Sequence, residues 1–360
     1  MRGRFDQTMA LAILFASVAS VAGCSDPGPA VWEGDLVTVT SSDGVEICGE
    51  TLDFLDRFAG HAYMYWTGEV PAWDLALELD LRVGDPSDQG GLATSSQGYA
   101  WTSANRGVIH ELTHLVVGWD DGSSAPSLTE GVAESFGPGD PVALWVPRPP
   151  DPREFAFLPS DDFFFPESGL SATYYGPSAQ LVAFLIDRFG VATVRSAYRA
   201  ARHDQTAEEI EDALVSVLGD GLYDAFDEFQ VAPQCALQAW ECDSDIVPLR
   251  ELPIVVEQDT DCTNDDQAVG AMSSRSELWF PLHQFVIDLP TETLLVIDTT
   301  DNALLRRVFC VETCDAEVWN AVDGDINSVE ERVWGPGRIY VTVQPADPTK
   351  PFSASIRAAD

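Results

Sequence analysis

Lysine occurs once in the chain, at Lys350, and arginine supplies the rest of only 19 basic side chains, against 59 acidic ones. At a net charge of -40 the clustered cations needed to neutralise a phosphate backbone are missing, which excludes nucleic-acid binding as a main activity. The excess of carboxylates reads instead as a solvated, self-repelling surface. Histidine is also scarce, with five in 360 residues, so any two at a ligand spacing carry information. Outside the first 23 residues there is no apolar run long enough for a membrane span. No pair of CxxC knuckles exists, which argues against a cysteine-only zinc site, and there is no internal repeat or low-complexity tract.

What is present is enough apolar material for a core: 45% hydrophobic and 10% aromatic residues over a length that suits two domains. Residues 1–23 read as a targeting segment. Arg2 and Arg4 precede an apolar, small-residue stretch at 9–22 that is too short to span a bilayer. It ends in Val21-Ala22-Gly23-Cys24, which resembles the lipobox of bacterial lipoproteins, with an ordinary secretory signal and an incidental cysteine as the alternative. The lipobox likeness implies a lipid anchor at Cys24 and an extracytoplasmic protein. Ser25, in place of an aspartate, implies the outer membrane. Residues 24–34 read as a tether.

With Cys24 set aside, six cysteines remain: Cys48, Cys235, Cys242, Cys262, Cys310 and Cys314. In an oxidising compartment they read as three disulfides, with 15 possible connectivities. Local pairing of Cys235 with Cys242 and of Cys310 with Cys314 would leave Cys48 for Cys262.

Hydrophobic periodicity divides the rest into an α+β chain. Residues 47–58 show a helical stripe at Leu52, Leu55 and Phe58. Leu75, Leu77, Leu79 and Leu81 alternate with charged residues as a strand, and 98–101 suggests a second. Residues 108–117 are apolar around the whole circumference, the mark of a buried helix, and Gly118 looks like its stop. A polar loop at 119–126 and a helix at 127–136 follow. The Pro- and Asp-rich stretch 139–168 reads as an irregular surface loop, 176–189 as an amphipathic helix and 207–229 as two more helical patterns. Beyond Cys242 only short alternating strands appear, at 285–289, 294–298, 338–343 and 352–356. The expectation is a mainly helical catalytic domain over 35–245 with a small N-terminal mixed sheet, then an all-β sandwich over 246–360.

The chemistry concentrates in His110-Glu111-Leu112-Thr113-His114. Imidazoles at i and i+4 leave one helix face a turn apart, and both can reach one ion. Glu111 can then serve as the base for an activated water. Two histidines on an otherwise apolar helix need buried partners, which a metal supplies. Zinc in a hydrolase has three protein ligands and an open position. Glu130, in Glu130-Gly131-Val132-Ala133-Glu134, is the candidate third ligand. Glu134, one turn on, is a candidate to orient a ligand histidine. Glu130 has a second explanation, because Ser127-x-x-Glu130 is also a capping-box pattern.

Together these motifs resemble the gluzincin zinc metallopeptidases, including thermolysin, the alanyl aminopeptidases and peptidase MA-like bacterial proteins, over about residues 100–230. The resemblance implies a zincin fold, one Zn2+, a protein or peptide substrate, Glu130 as ligand and Glu134 in support. It also implies Tyr175, opening Tyr175-Gly176-Pro177-Ser178-Ala179, as oxyanion donor, with Tyr174 as the adjacent rival and His203 in reserve. Two features depart from the family. Only 15 residues separate His114 from Glu130, and Gly98-Tyr99-Ala100-Trp101 lacks the acidic residue that holds a substrate amine in aminopeptidases, so endopeptidase action is expected. The strand Gly337-Arg338-Ile339-Tyr340-Val341-Thr342-Val343 resembles pre-peptidase C-terminal modules.

Two rivals stand beside this. A metzincin-like site would use Asp120, six residues after His114, but Val117 occupies the position where that geometry needs glycine. A cell-surface scaffold lipoprotein with a vestigial site is the other, and the intact Glu111 counts against it.

Overall fold

A computed structural model describes residues 30–41, 45–71, 76–82, 91–94, 98–103, 108–136, 151–165, 174–230, 246–258, 262–263, 268–273, 282–300, 302–309, 328–334, 336–345 and 350–359. The leader, Cys24 and Cys235, Cys242, Cys310 and Cys314 lie outside these residues. The architecture is α+β, with a mixed N-terminal sheet, a helical body and a C-terminal pair of sheets that are antiparallel except where β7 runs parallel to β11.

The first strands are β1 (Ala30–Glu33), β2 (Val37–Ser41) and β3 (Val45–Ile47). The end of the expected tether is thus ordered: Ala30 to Glu33 pair antiparallel with β2, where backbone ladder bonds and the packing of Trp32 on the core outweigh the turn-rich composition just before. After α1 (Thr51–Thr67) come β4 (Leu77–Arg82), β5 (Gly91–Thr94) and β6 (Tyr99–Ser103). The sheet order is β1-β2-β4-β6-β5. β4 is parallel to both neighbours, whereas β5 runs antiparallel to β6 at the edge. Leu77, Leu79 and Leu81 face the helices and are buried, as their alternation requires.

Helix α1 buries Phe54, Leu55, Phe58, Ala59, Ala62, Tyr63 and Trp66, a helical stripe, and ends at left-handed Gly68. Helix α2 (Val108–Asp121) does not stop at Gly118. It continues one turn to Gly122, whose φ of 71° provides the left-handed residue that closes a helix. Gly118 keeps helical geometry in the interior, so glycine alone was a false stop. α3 (Pro126–Phe136) begins on Pro126, whose missing N–H costs nothing in a first turn. The segment expected as irregular loop contains α4 (Ser160–Phe164), with Phe155 and Phe163 fully buried, so aromatic burial overrides its Pro/Asp composition. The remaining helices are α5 (Tyr175–Phe189), α6 (Val191–Ala200), α7 (Ala207–Leu218) and α8 (Gly221–Phe229). α7 opens with a capping box between Thr206 and Glu209.

The C-terminal strands are β7 (Ile246–Pro248), β8 (Ile254–Gln258), β9 (Ala268–Val269), β10 (Ala271–Ser273), β11 (Leu282–Leu289), β12 (Thr293–Thr300), β13 (Ala303–Phe309), β14 (Ser328–Trp334), β15 (Gly337–Pro345) and β16 (Phe352–Ala358). All but β10 form two sheets, β13-β15-β11-β7 with β9 also paired to β11, and β14-β12-β16-β8, whose inner faces share one core including Ile287, Leu295, Ile339, Val341 and Ile356.

This part is tied to the helical body. β10 pairs with β3, and Cys48 is bonded to Cys262. Carbonyls of Cys262 and Ala268 accept the N–H groups of Gly49 and Glu50 at the start of α1, and Thr51 Oγ1 exchanges hydrogen bonds with Gly270. Among the described residues no helix is long and apolar enough to cross a membrane.

Candidate metal centre

His110 and His114 leave α2 on one face, as their spacing dictates, with ring centroids 4.6 Å apart. Nε2 of His114 lies 3.0 Å from Nε2 of His110. Oε2 of Glu130, arriving from α3, lies 3.1 Å from Nε2 of His110 and 3.4 Å from Nε2 of His114. Three donor atoms therefore form a nearly equilateral triangle, and these residues make up the one group among the described residues with metal-binding geometry. Atoms bound tetrahedrally at zinc distances stand roughly 3.3 Å from one another, so the triangle matches three corners of such a shell. The fourth corner is left for water or substrate.

The local charge fits the same ion. Burial works against a proton on His110, but Glu130 and Glu134 outweigh it and hold the imidazole pKa well above its ordinary value. Burial likewise opposes ionisation of Glu130, yet His114 and His110 hold its carboxyl well below the carboxylate range. The pocket thus favours positive charge among fixed acceptors. Glu134 Oε2 lies 3.8 Å from Nδ1 of His110, on the ring side away from the triangle, where it can orient the ligand nitrogen.

Glu111 is buried against the same face, and desolvation raises its carboxyl pKa, opposed by the neighbouring histidines. The ring of Tyr175, at the start of α5, lies 6.0 Å from that of His110. Burial, then the charges of Glu130, Glu111 and Glu134, push its phenol upward, so it stays a hydrogen-bond donor. Tyr174 stacks on Phe155 and packs at a tilt against Phe163.

Gly131 explains how α5 comes so close. A Cβ there would sit 2.6 Å from the Ser178 carbonyl oxygen and 2.7 Å from a Val182 methyl. Glycine next to Glu130 lets α3 and α5 touch along their backbones, which brings Tyr175 to the ligand. The capping role for Glu130 is not used: Ser127 sits inside the helix and donates to the Ala156 carbonyl at 2.7 Å.

Asp120 is not near the triangle. It accepts a hydrogen bond from Tyr63 Oη at 2.8 Å near the far end of α2, because the helix runs on through Gly118 instead of bending back. His203 is exposed on the turn after α6, where its carbonyl accepts from Ser160.

Two features escaped the sequence reading. Phe163 packs 6.0 Å from Tyr175, which makes α4 a wall of the site. At the C-terminal end of α2, Asp121 receives Trp66 Nε1 at 2.7 Å, Arg195 Nε at 2.7 Å and Arg199 Nε at 2.6 Å, linking α1 and α6 to the helix that bears the histidines. An aspartate closing an all-round apolar helix was the available signal. The chain matches no known family model and no curated protein sequence.

Proposed function

We propose that the chain is a zinc-dependent endopeptidase of gluzincin type. The triangle formed by His110 Nε2, His114 Nε2 and Glu130 Oε2 carries the reading, with buried Glu111 beside it. His110, His114 and Glu130 would hold Zn2+, and Glu134 would orient His110. The ion supplies Lewis acidity, polarising a peptide carbonyl and acidifying water. Glu111 removes a proton from the attacking water and delivers it to the leaving amine. Its carboxyl, buried on the helix that bears both histidines, can accept a proton and give it back. Tyr175 donates a hydrogen bond to the oxygen on which negative charge develops. β5, the sheet edge packed beside α2, can pair with an extended chain running past the site on both sides, which favours endopeptidase action.

The leader and Cys24 support an extracytoplasmic enzyme held to a membrane by a lipid anchor. The Cys48–Cys262 bond fits an oxidising compartment. The test is one zinc per purified chain together with hydrolysis of a casein-type substrate that Glu111→Gln abolishes. Zinc binding without turnover on broad peptide libraries would favour a scaffold instead.

A further inference from the structure

Helices α2 and α3 carry the three ligand atoms, and residues 122–125 join them. The distance from Glu130 to the histidines is therefore set at that short turn. Glu130 stands about 6 Å up α3 from Pro126 at 1.5 Å per residue, so a tilt of roughly 10° at the turn moves it by about 1 Å. A working set of ligands tolerates a displacement of about 0.5 Å.

The end of α6 grips this turn. The Ala201 carbonyl accepts the Ala125 N–H at 2.9 Å and the Ser124 hydroxyl at 2.6 Å, and Ser124 forms an antiparallel bridge with Arg202. Tyr198, only 3% exposed, reaches further in. Its phenol donates at 3.1 Å to the carbonyl of Gly122, at the end of the helix that bears both histidines. The hydroxyl of Thr129, the residue before Glu130, faces the same phenol oxygen. That hydroxyl accepts the Ser124 N–H at 3.0 Å, which leaves its own proton to turn toward the phenol. Burial pushes the phenol pKa up, Thr129 acts against this, and the charges of Asp121 and Glu130 add to the rise. The ring itself is fixed from the α1 side. It packs edge-on against Trp66 at 5.4 Å, and Trp66 in turn donates to Asp121.

Resting on the metal reading above, we propose that Tyr198 is a positioning residue for the centre: one phenol oxygen ties the end of α2 to the residue before Glu130 and so keeps the third ligand at binding distance. A hydroxyl can donate and accept at one atom, which is what linking a carbonyl to a second hydroxyl requires. Phenylalanine would fill the same space against Trp66 and tie nothing. Tyr198 acts on the ion only through Glu130.

The test uses the full chain, titrated with zinc against a competing chelator and separately with cobalt(II), whose visible absorption reports the number and arrangement of ligands. Expected of Tyr198→Phe is a folded protein with a zinc Kd about tenfold higher and a weaker cobalt band. Thr129→Val removes the partner hydroxyl and should move Kd the same way. Leu214→Ala, in the buried face of α7, is the control, lowering stability and leaving Kd unchanged. The deciding comparison is made on Glu130→Ala, where adding Tyr198→Phe should cost nothing further if the tie works through that ligand. A zinc Kd unchanged in Tyr198→Phe, or in Thr129→Val where the first does not fold, overturns the proposal and leaves the centre in place. So does an equal loss with and without Glu130. Stoichiometric zinc with the Tyr198 effect but no peptide cleavage supports the tie and sinks only the peptidase. A wild-type chain that takes up neither ion sinks the centre and the tie together.

Discussion

Glu130 Oε2 stands 3.1 Å from His110 Nε2 although 20 positions separate the two residues. The contact is made by two helices that the chain turns between at Gly122 and Pro126, so the metal face depends on that turn as well as on the ligands. Replacing His110 or His114 by alanine should abolish zinc binding, read as loss of the one-per-chain stoichiometry by elemental analysis. Chelation of the wild-type protein should lower its thermal midpoint, because an ion that binds only the folded state stabilises it by about 2.7 kcal/mol at a hundredfold excess over Kd. Retention of stoichiometric zinc by both variants would refute the site.

Glu111 is predicted to act on protons and not on the ion. Glu111→Gln should keep zinc and fold but lose about 10²- to 10⁴-fold in kcat. Tyr175→Phe should keep zinc and lower kcat with KM little changed, since the phenol serves charge that develops only in the transition state. Loss of zinc in either variant would move that residue from chemistry to structure.

The HExxH spacing and the two acids of α3 were legible because helical geometry is local: i and i+4 meet whatever the rest of the chain does. The choice of Glu130 over Asp120 was not a local matter. It turns on α2 ending at Gly122 instead of Gly118, and both are glycines. What separates them is the backbone angle, with φ 71° at Gly122. The sandwich was visible in alternating strands. The ordered β1, the aromatic wall at α4 and the clasp between β3 and β10 were hidden, because each is stabilised by partners far away in sequence.

Gly131→Ala tests the close approach that brings Tyr175 to the ligands. The added methyl would meet backbone, the Ser178 carbonyl at 2.6 Å, which has no rotamer to escape by. Overpacking of this kind costs about 1–3 kcal/mol. A lower denaturation midpoint together with a fall in kcat larger than any loss of zinc is expected. An alanine variant with wild-type stability would show that α3 and α5 separate freely.

The clasp at the other end of α1 should respond to thiols. The Cys48–Cys262 bond closes a loop of 214 residues between the helical body and the sandwich. Replacing both cysteines by alanine should cost about 2–5 kcal/mol in urea unfolding under oxidising conditions. The same protein under reducing conditions should lose nothing further from this bond.

Asp121 sets an acid limit. Burial raises its pKa, but Arg195, Trp66 and Arg199 more than reverse this, so the folded value lies below the ordinary one of about 3.9. The group binds more protons unfolded than folded. Its stabilisation is therefore complete above the unfolded pKa and drains away as pH falls below about 4 through the folded value. Asp121→Asn removes that dependence and takes away the nearest charged partner of Arg195, leaving it Asp120 at 3.8 Å and the Thr67 carbonyl at 3.2 Å, so the loss is about 1–3 kcal/mol at neutral pH. Because Asp121 anchors the end of α2, the variant should also bind zinc more weakly with all three ligands intact. If its stability-against-pH curve between pH 5 and 3 keeps the wild-type slope, the depressed carboxylate is not Asp121, and the tie between α1, α2 and α6 does not control acid unfolding.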